Sequence, residues 1–238
     1  LICFQDLSGS VEGLVTSGIG AEQCEPELPV PLPYLVVTAD GVPAVTDIDG
    51  TFVFTGLESL PKFVQVTLDG HWFDVFHAEG EELVVTVPGD ELQSVNSLLL
   101  NAANNDPLVR AQVNAYEGAN RVRDYVLSFN PAYPALDATD FEVNVNRTDG
   151  YCPGNAWYSP GEQSINFCQA GPNNPNTAWS SVIFHEYGHH LVWAAGSGQG
   201  AYGEGMGDCI SVLLLDSPAL GLGFPNNCNA SLRNADNN

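Results

Sequence analysis

His185-Glu186-Tyr187-Gly188-His189 lies within the stretch Trp179-Ser-Ser-Val-Ile-Phe-His-Glu-Tyr-Gly-His-His-Leu-Val192. Apolar residues at 179, 182, 183, 187, 191 and 192 recur at helical spacing, so the segment reads as a helix over about 178–195 with one apolar side. On a helix, side chains four apart share one face about a turn apart, so His185 and His189 present two imidazole nitrogens to one point. That is the H-E-x-x-H arrangement that holds Zn2+. Glu186 is placed to lean over the metal without binding it, to take a proton from the water that zinc acidifies, and to pass it to a leaving amine.

A third protein ligand is expected on the next helix. The run Ala201-Tyr-Gly-Glu-Gly-Met-Gly-Asp208 leads into Cys209-Ile-Ser-Val-Leu-Leu-Leu215, which reads as a helix over about 204–216. Glu204 and Asp208 lie four apart and face the same way. Glu204 is the candidate zinc ligand, and Asp208 the candidate partner that orients a ligand histidine. The chain continues His189-His-Leu-Val-Trp-Ala-Ala195, without the H-x-x-G-x-x-H continuation of metzincins.

H-E-Y-G-H followed by G-E-G-x-x-D resembles the gluzincin metallopeptidases of the fungalysin and thermolysin branch. Ala119-Asn-Arg-Val-Arg-Asp-Tyr125 is similar to the helix that precedes their site. Asn155-Ala156-Trp157-Tyr158 resembles their N-A-[FW]-[YW] edge strand, with Ile165-Asn-Phe167 as its partner. The resemblance covers roughly residues 95–216. It implies a secreted zinc endopeptidase acting on a peptide or protein substrate, with Asn155 and Ala156 holding the substrate backbone by strand addition. Two departures stand out. The connection from His189 to Glu204 is shorter than in those relatives. They also supply a His, Tyr or Arg from a helical C-terminal lobe to stabilise the oxyanion, whereas here Arg233 is the sole basic residue after Asp216.

The rest of the chain divides by periodicity. Up to about residue 88, β-branched and aromatic runs such as Thr51-Phe-Val-Phe54, Phe63-Val-Gln-Val-Thr67 and Leu83-Val-Val-Thr-Val87 alternate with turn signals at Asp40-Gly41, Asp49-Gly50 and Asp69-Gly70. This predicts a small antiparallel β-sandwich. Thr46-Asp-Ile-Asp-Gly-Thr-Phe-Val-Phe-Thr-Gly-Leu57 resembles carboxypeptidase-regulatory-like sandwiches, and its aspartates read as turn formers. Further on, Asp106-Pro107 is an N-cap followed by proline at the first helical position, opening a helix that runs to Phe129. Phe141-Glu-Val-Asn-Val145 reads as a strand. The expectation is an α+β protein: a β-sandwich module over 1–90, acting as a regulatory-like or pro-region unit, and a thermolysin-like zinc-binding lobe over 91–238, with the boundary near 88–96.

Composition narrows the function classes. There are 29 acidic residues against 6 basic ones, a net charge of −23, and Lys62 is the only lysine. Nucleic-acid binding needs Lys and Arg to neutralise phosphates, so that class is excluded. The acidity reads as solubility, or as Ca2+ binding, although no D-x-D-x-D-G run appears. No apolar run is long enough to span a membrane. Six cysteines, at 3, 24, 152, 168, 209 and 228, suggest an oxidising, extracellular or cell-surface location. The simplest pairing by spacing is Cys3–Cys24, Cys152–Cys168 and Cys209–Cys228, among many that six cysteines permit. Asn146-Arg147-Thr148 and Asn229-Ala230-Ser231 are formal glycosylation sequons. The start, Leu-Ile-Cys-Phe, reads as a processed or trimmed end, and the close at Asn238 as a truncated lobe. The alternative to an endopeptidase is a non-catalytic adhesion or matrix-binding protein that retains the peptidase-like zinc fold.

Overall fold

The structure, a computed structural model, describes residues 4–16 and 18–236. Eight strands come first: β1 (Gln5–Val15), β2 (Leu28–Pro31), β3 (Leu35–Ala39), β4 (Val42–Val45), β5 (Thr51–Leu57), β6 (Phe63–Gly70), β7 (Phe73–His77) and β8 (Val84–Pro88). A short helix α1 (Gly89–Val95) and strand β9 (Ser97–Leu99) lead into the long helix α2 (Pro107–Phe129). Then come β10 (Phe141–Arg147), β11 (Ala156–Ser159), β12 (Ser164–Cys168), α3 (Ser180–Ala194) and α4 (Ala201–Leu215). A small hairpin, β13 (Ala219–Leu220) and β14 (Arg233–Asn234), ends the described chain.

Asp40-Gly41 and Asp49-Gly50 turn the chain as the sequence predicts, whereas Asp69-Gly70 ends β6 and the turn falls on His71-Trp72. Asp40 and Gly41 both take positive φ, 45° and 86°, as a two-residue β3–β4 hairpin requires. The Asp40 carboxylate accepts the backbone N–H groups of Lys62 and Phe63, which hold its carboxyl below the usual range. Asp47 closes its own turn, accepting from the N–H groups of Asp49 and Thr51 and from the Thr51 hydroxyl. At the start of α2, the Asp106 side chain accepts from Leu108 N at 2.9 Å, with Pro107 in the first turn.

The fold is mixed α+β. Strands β2, β1 and β5, with β9 beside β1, form a four-stranded sheet. Alternate residues of β3, β5 and β6 are buried, so each of these strands turns one face inward. Leu7, Val11, Phe52 and Phe54 of one sheet and Val37, Val64, Val66 and Leu68 of the other join a single hydrophobic core. The second sheet has eight strands, ordered β11-β12-β10-β7-β6-β3-β4 with β8 on β6, so it continues through residue 90. The join is a parallel pairing of β7 with β10, Phe73 opposite Phe141. Parallel neighbours need a long crossover, and the segment containing α2 supplies it. Periodicity reports which face of a strand is buried but not which strand it pairs with, so a boundary near 88–96 carries no trace in the sheet.

The disulfides correct two of the three expected pairings. Cys152–Cys168 forms as expected, Cys24 pairs with Cys228, and Cys209 is free and exposed. Cys3 lies outside the described residues. The reason is that the tail folds back on the N-terminal loop. Ala21 N–H donates to Leu222 O at 2.8 Å and Gln23 Nε2 to Gly223 O at 3.1 Å, while Cys209 faces away on α4. Of the two sequons, Asn146 is closed to modification. It is fully buried, donates to Leu108 O and accepts from Asn176. No helix among the described residues is long and apolar enough to cross a membrane.

Replacing Cys228 with Ser opens a bridge between residues 204 apart and is expected to cost about 2–4 kcal/mol in denaturant-unfolding stability. Cys209→Ser, at an exposed unpaired thiol, is expected to change it by less than about 0.5 kcal/mol.

Candidate metal centre

The centre is built where α3 crosses α4 with almost no side chain between them. The buried residues of α4 are Gly203, Gly207 and Ser211, four apart and so on one face. A Cβ on Gly188 of α3 would stand 2.7 Å from Gly207 Cα, and one on Gly207 would stand 2.8 Å from both His185 Nδ1 and His185 O. Backbone contact this close lets the short side chains of Glu204 and Asp208 reach the histidines.

His185, His189 and Glu204 then converge. The two Nε2 atoms are 3.2 Å apart, and Glu204 oxygens lie 3.3 Å from His185 Nε2 and 3.5 Å from His189 Nε2. Ligand atoms at 2.0–2.1 Å around a tetrahedral Zn2+ are separated by roughly 3.3 Å, so the observed spacings fit that ion. The hydrogen bonding gives a second test. His185 Nδ1 sits 2.8 Å from Asp208 Oδ1 and His189 Nδ1 sits 2.8 Å from Gln199 Oε1. Gln199 is fixed in that orientation because its Nε2 donates to His189 O at 3.1 Å. Both Nδ1 atoms therefore carry the proton, and both Nε2 lone pairs face each other beside a carboxylate. Such an arrangement calls for a cation between them. Among the described residues no second group of three His, Cys, Asp or Glu side chains gathers closely enough to hold a metal ion, and the Ca2+ expectation acquires no site.

Charge and burial set the titration of these groups. Glu186 is 6% exposed, and burial pushes its carboxyl up to about 7. His185 and, more weakly, the nearby Tyr158 backbone hold it down in part, while Glu204 pushes it up. Burial alone would lower His185, but the Asp208 hydrogen bond and the nearby Glu186 charge raise it overall. His189 is lowered by burial, against the hydrogen bond it donates to Gln199. Burial opposes ionisation of Glu204, yet Arg233 and the two histidines bring its carboxyl below the ordinary range.

A cleft of about 560 Å³ opens over these groups, with Tyr151, Asn155, Trp157 and Tyr158 along one side. Asn155 and Ala156 line it, and Ala156 opens β11, the terminal strand of the large sheet. A smaller recess of about 70 Å³ leads off beside His185, lined by Val182, Leu220, Phe224, Leu232 and Arg233. Three participants escape sequence reasoning. Gln199 lies in a glycine-rich turn that gives no periodic signal. Arg233 returns from the tail, its guanidinium 3.1 Å from Glu204 and 3.4 Å from Asp208. His190 points away from the metal, as its position beside His189 suggests, but it contacts the cleft wall through Tyr158.

Among solved structures the chain is similar to the precursor of protealysin, a metalloproteinase from Serratia proteamaculans, at 17% identity with a TM-score of 0.44. The similarity covers 64% of this chain and 48% of that one, so the chain spans about half the length of that protein. No protein-family model and no curated protein matches the sequence.

A methyl group at Gly188 must push α4 away. Gly188→Ala is expected to lower stability by about 1–3 kcal/mol and to weaken Zn2+ binding, both read by titration and chemical unfolding. A second expectation concerns pH. In the metal-free protein the folded state keeps the Glu186 proton up to about 7, whereas the unfolded chain releases it near 4.5. The unfolded state thus binds fewer protons in that window, and stability falls as pH rises through it. Unfolding of chelator-treated protein at both ends of the window is expected to show a decline roughly 3 kcal/mol steeper in wild type than in Glu186→Gln.

Proposed function

We propose that this chain is a secreted zinc-dependent endopeptidase that hydrolyses peptide bonds with Glu186 as general base. The observation that carries this reading is the facing pair of Nε2 lone pairs with Glu204 at zinc spacing, directly beside a buried carboxylate in an open cleft. A gluzincin assignment follows from the same ligand set, two histidines of one helix and a glutamate of the next.

His185, His189 and Glu204 would hold the ion. Asp208 and Gln199 fix the tautomer and direction of the two imidazoles. When bound, zinc supplies Lewis acidity, lowering the pKa of water and polarising a carbonyl. The chain's own groups do the rest. Glu186, with its proton affinity raised by burial, accepts a proton from the attacking water and delivers it to the amine that leaves. The outer edge of β11 offers backbone groups to an extended peptide through Asn155 and Ala156. The recess lined by Val182, Leu220, Phe224 and Leu232 suits an apolar side chain next to the scissile bond. Arg233 is a cation at the mouth of that recess, able to carry part of the charge that builds on the carbonyl oxygen. The apparent lack of such a group in the sequence thus has a candidate remedy within the chain itself.

Metal analysis is expected to find one Zn2+ per chain in wild type and none in His185→Ala. Peptide hydrolysis is expected to fall roughly 10²–10⁴-fold in Glu186→Gln with zinc retained. Hydrolysis that survives this substitution would sink the mechanism. Zinc bound by wild type without any hydrolysis would favour the non-catalytic adhesion or matrix-binding reading.

A further inference from the structure

His190 is 1% exposed, and its hydrogen bond goes to Tyr158 and not to a metal ligand. Its imidazole is caged by Phe141, Tyr187, Tyr158 and Trp193, with ring centroids at 4.7, 5.3, 5.5 and 6.0 Å. A buried ring nitrogen needs a partner, and Nδ1 has one in the Tyr158 hydroxyl at 3.1 Å. The ring nitrogen and the phenol share this one hydrogen bond. Tyr158 belongs to β11, where it sits opposite Ile165 of β12, and it lines the same cleft as Glu186.

These contacts form a staple. Glu186 and His190 are four apart on α3 and therefore share a face. Glu186 faces the cleft beside β11, and His190 takes the Tyr158 hydroxyl. Since β11 is the end strand of the sheet, no further strand among the described residues holds its outer edge, and attachment to α3 rests on this bond and on packing. A strand free to shift would carry the Tyr158 backbone away from Glu186 and move the wall that borders the cleft.

We propose that His190 is a positioning residue for the cleft wall beside Glu186: by gripping the Tyr158 hydroxyl it locks β11 against α3 and so holds the Tyr158 backbone next to the carboxylate. The inference rests on the peptidase reading for its kinetic consequence, but not for the staple itself. Tyr158→Phe deletes only the hydroxyl, and His190→Phe keeps a ring in the aromatic cage while deleting its hydrogen-bonding nitrogen.

The test is a double-mutant cycle on kcat at full zinc occupancy, joined to hydrogen exchange at the Tyr158 amide. Each single variant is expected to lower kcat about tenfold, the scale of a sub-ångström misplacement of a reacting group. The double variant is expected to be no slower than either single one, because both remove the same bond. The Tyr158 amide is expected to exchange faster in all three variants, while amides of β12 stay protected. Unchanged kcat in Tyr158→Phe, additive losses, or an unaltered Tyr158 amide would each overturn the proposal. Should wild type hydrolyse nothing, the peptidase reading fails. The exchange measurement still decides the staple, faster exchange supporting it and unchanged exchange refuting it. If His190→Phe does not fold, Tyr158→Phe alone carries both measurements.

Discussion

The close crossing of α3 and α4 at Gly188 and Gly207 is the constraint from which the centre follows. Carboxylates on short side chains can meet imidazoles of a neighbouring helix only if the two backbones nearly touch. Here a single added Cβ on either helix would stand within 3 Å of backbone atoms. The consequence is an unusual distribution of apolar surface. Helix α4 turns Gly203, Gly207 and Ser211 inward and leaves Leu213 61% exposed, the reverse of what its aliphatic run would do in an ordinary core. Packing area is given up for approach distance. Helix α2 repeats the device more mildly, with Gly118 set against the side chain of Ile183.

On α3 itself, two interleaved pairs divide the labour. His185 and His189 face α4, while Glu186 and His190, one residue later, face β11. A rotation of about 100° per residue separates the two faces, so one helix serves the metal and the strand with adjacent side chains. Burial then gives the pairs different chemistry. Around the first pair, carboxylates and Gln199 compensate for lost solvent. Around the second, burial of Glu186 outweighs the opposing charge of His185, and its proton affinity rises accordingly.

Much of this was legible in the sequence because the decisive contacts lie within one helix or between consecutive ones. The i, i+4 spacing of His185 and His189, that of Glu204 and Asp208, and the Asp106-Pro107 cap are local codes that physics reads the same way in any context. The period-two strands likewise disclosed their buried faces. What stayed hidden is long-range. Nothing near Phe73 announces that β7 will lie beside β10, and nothing near Cys24 announces Cys228. The glycines of α4 look like helix breakers until α3 is present to require their smallness. Gln199 could be placed only once the turn between the two helices had a shape.

The tail shows why the N-terminal half matters to a centre it does not line. Arg233, Leu232 and Phe224 border the recess, and they arrive on a segment with little secondary structure of its own beyond the two-residue strands β13 and β14. Its fixed points are outside it: the Cys24–Cys228 bridge, the Ala21 and Gln23 bonds to Leu222 and Gly223, and the packing of Gly223 against Cys24. Residues 20–25 are in turn tied to the body, for Arg110 of α2 contacts Glu22 at 3.3 Å and Glu27 at 3.5 Å. A guanidinium in so acidic a chain has many carboxylates to choose from, and without a tether its partner would be a matter of chance. Holding the tail by covalent and backbone bonds removes that choice. It commits one of the chain's few cations to the two carboxylates that flank His185.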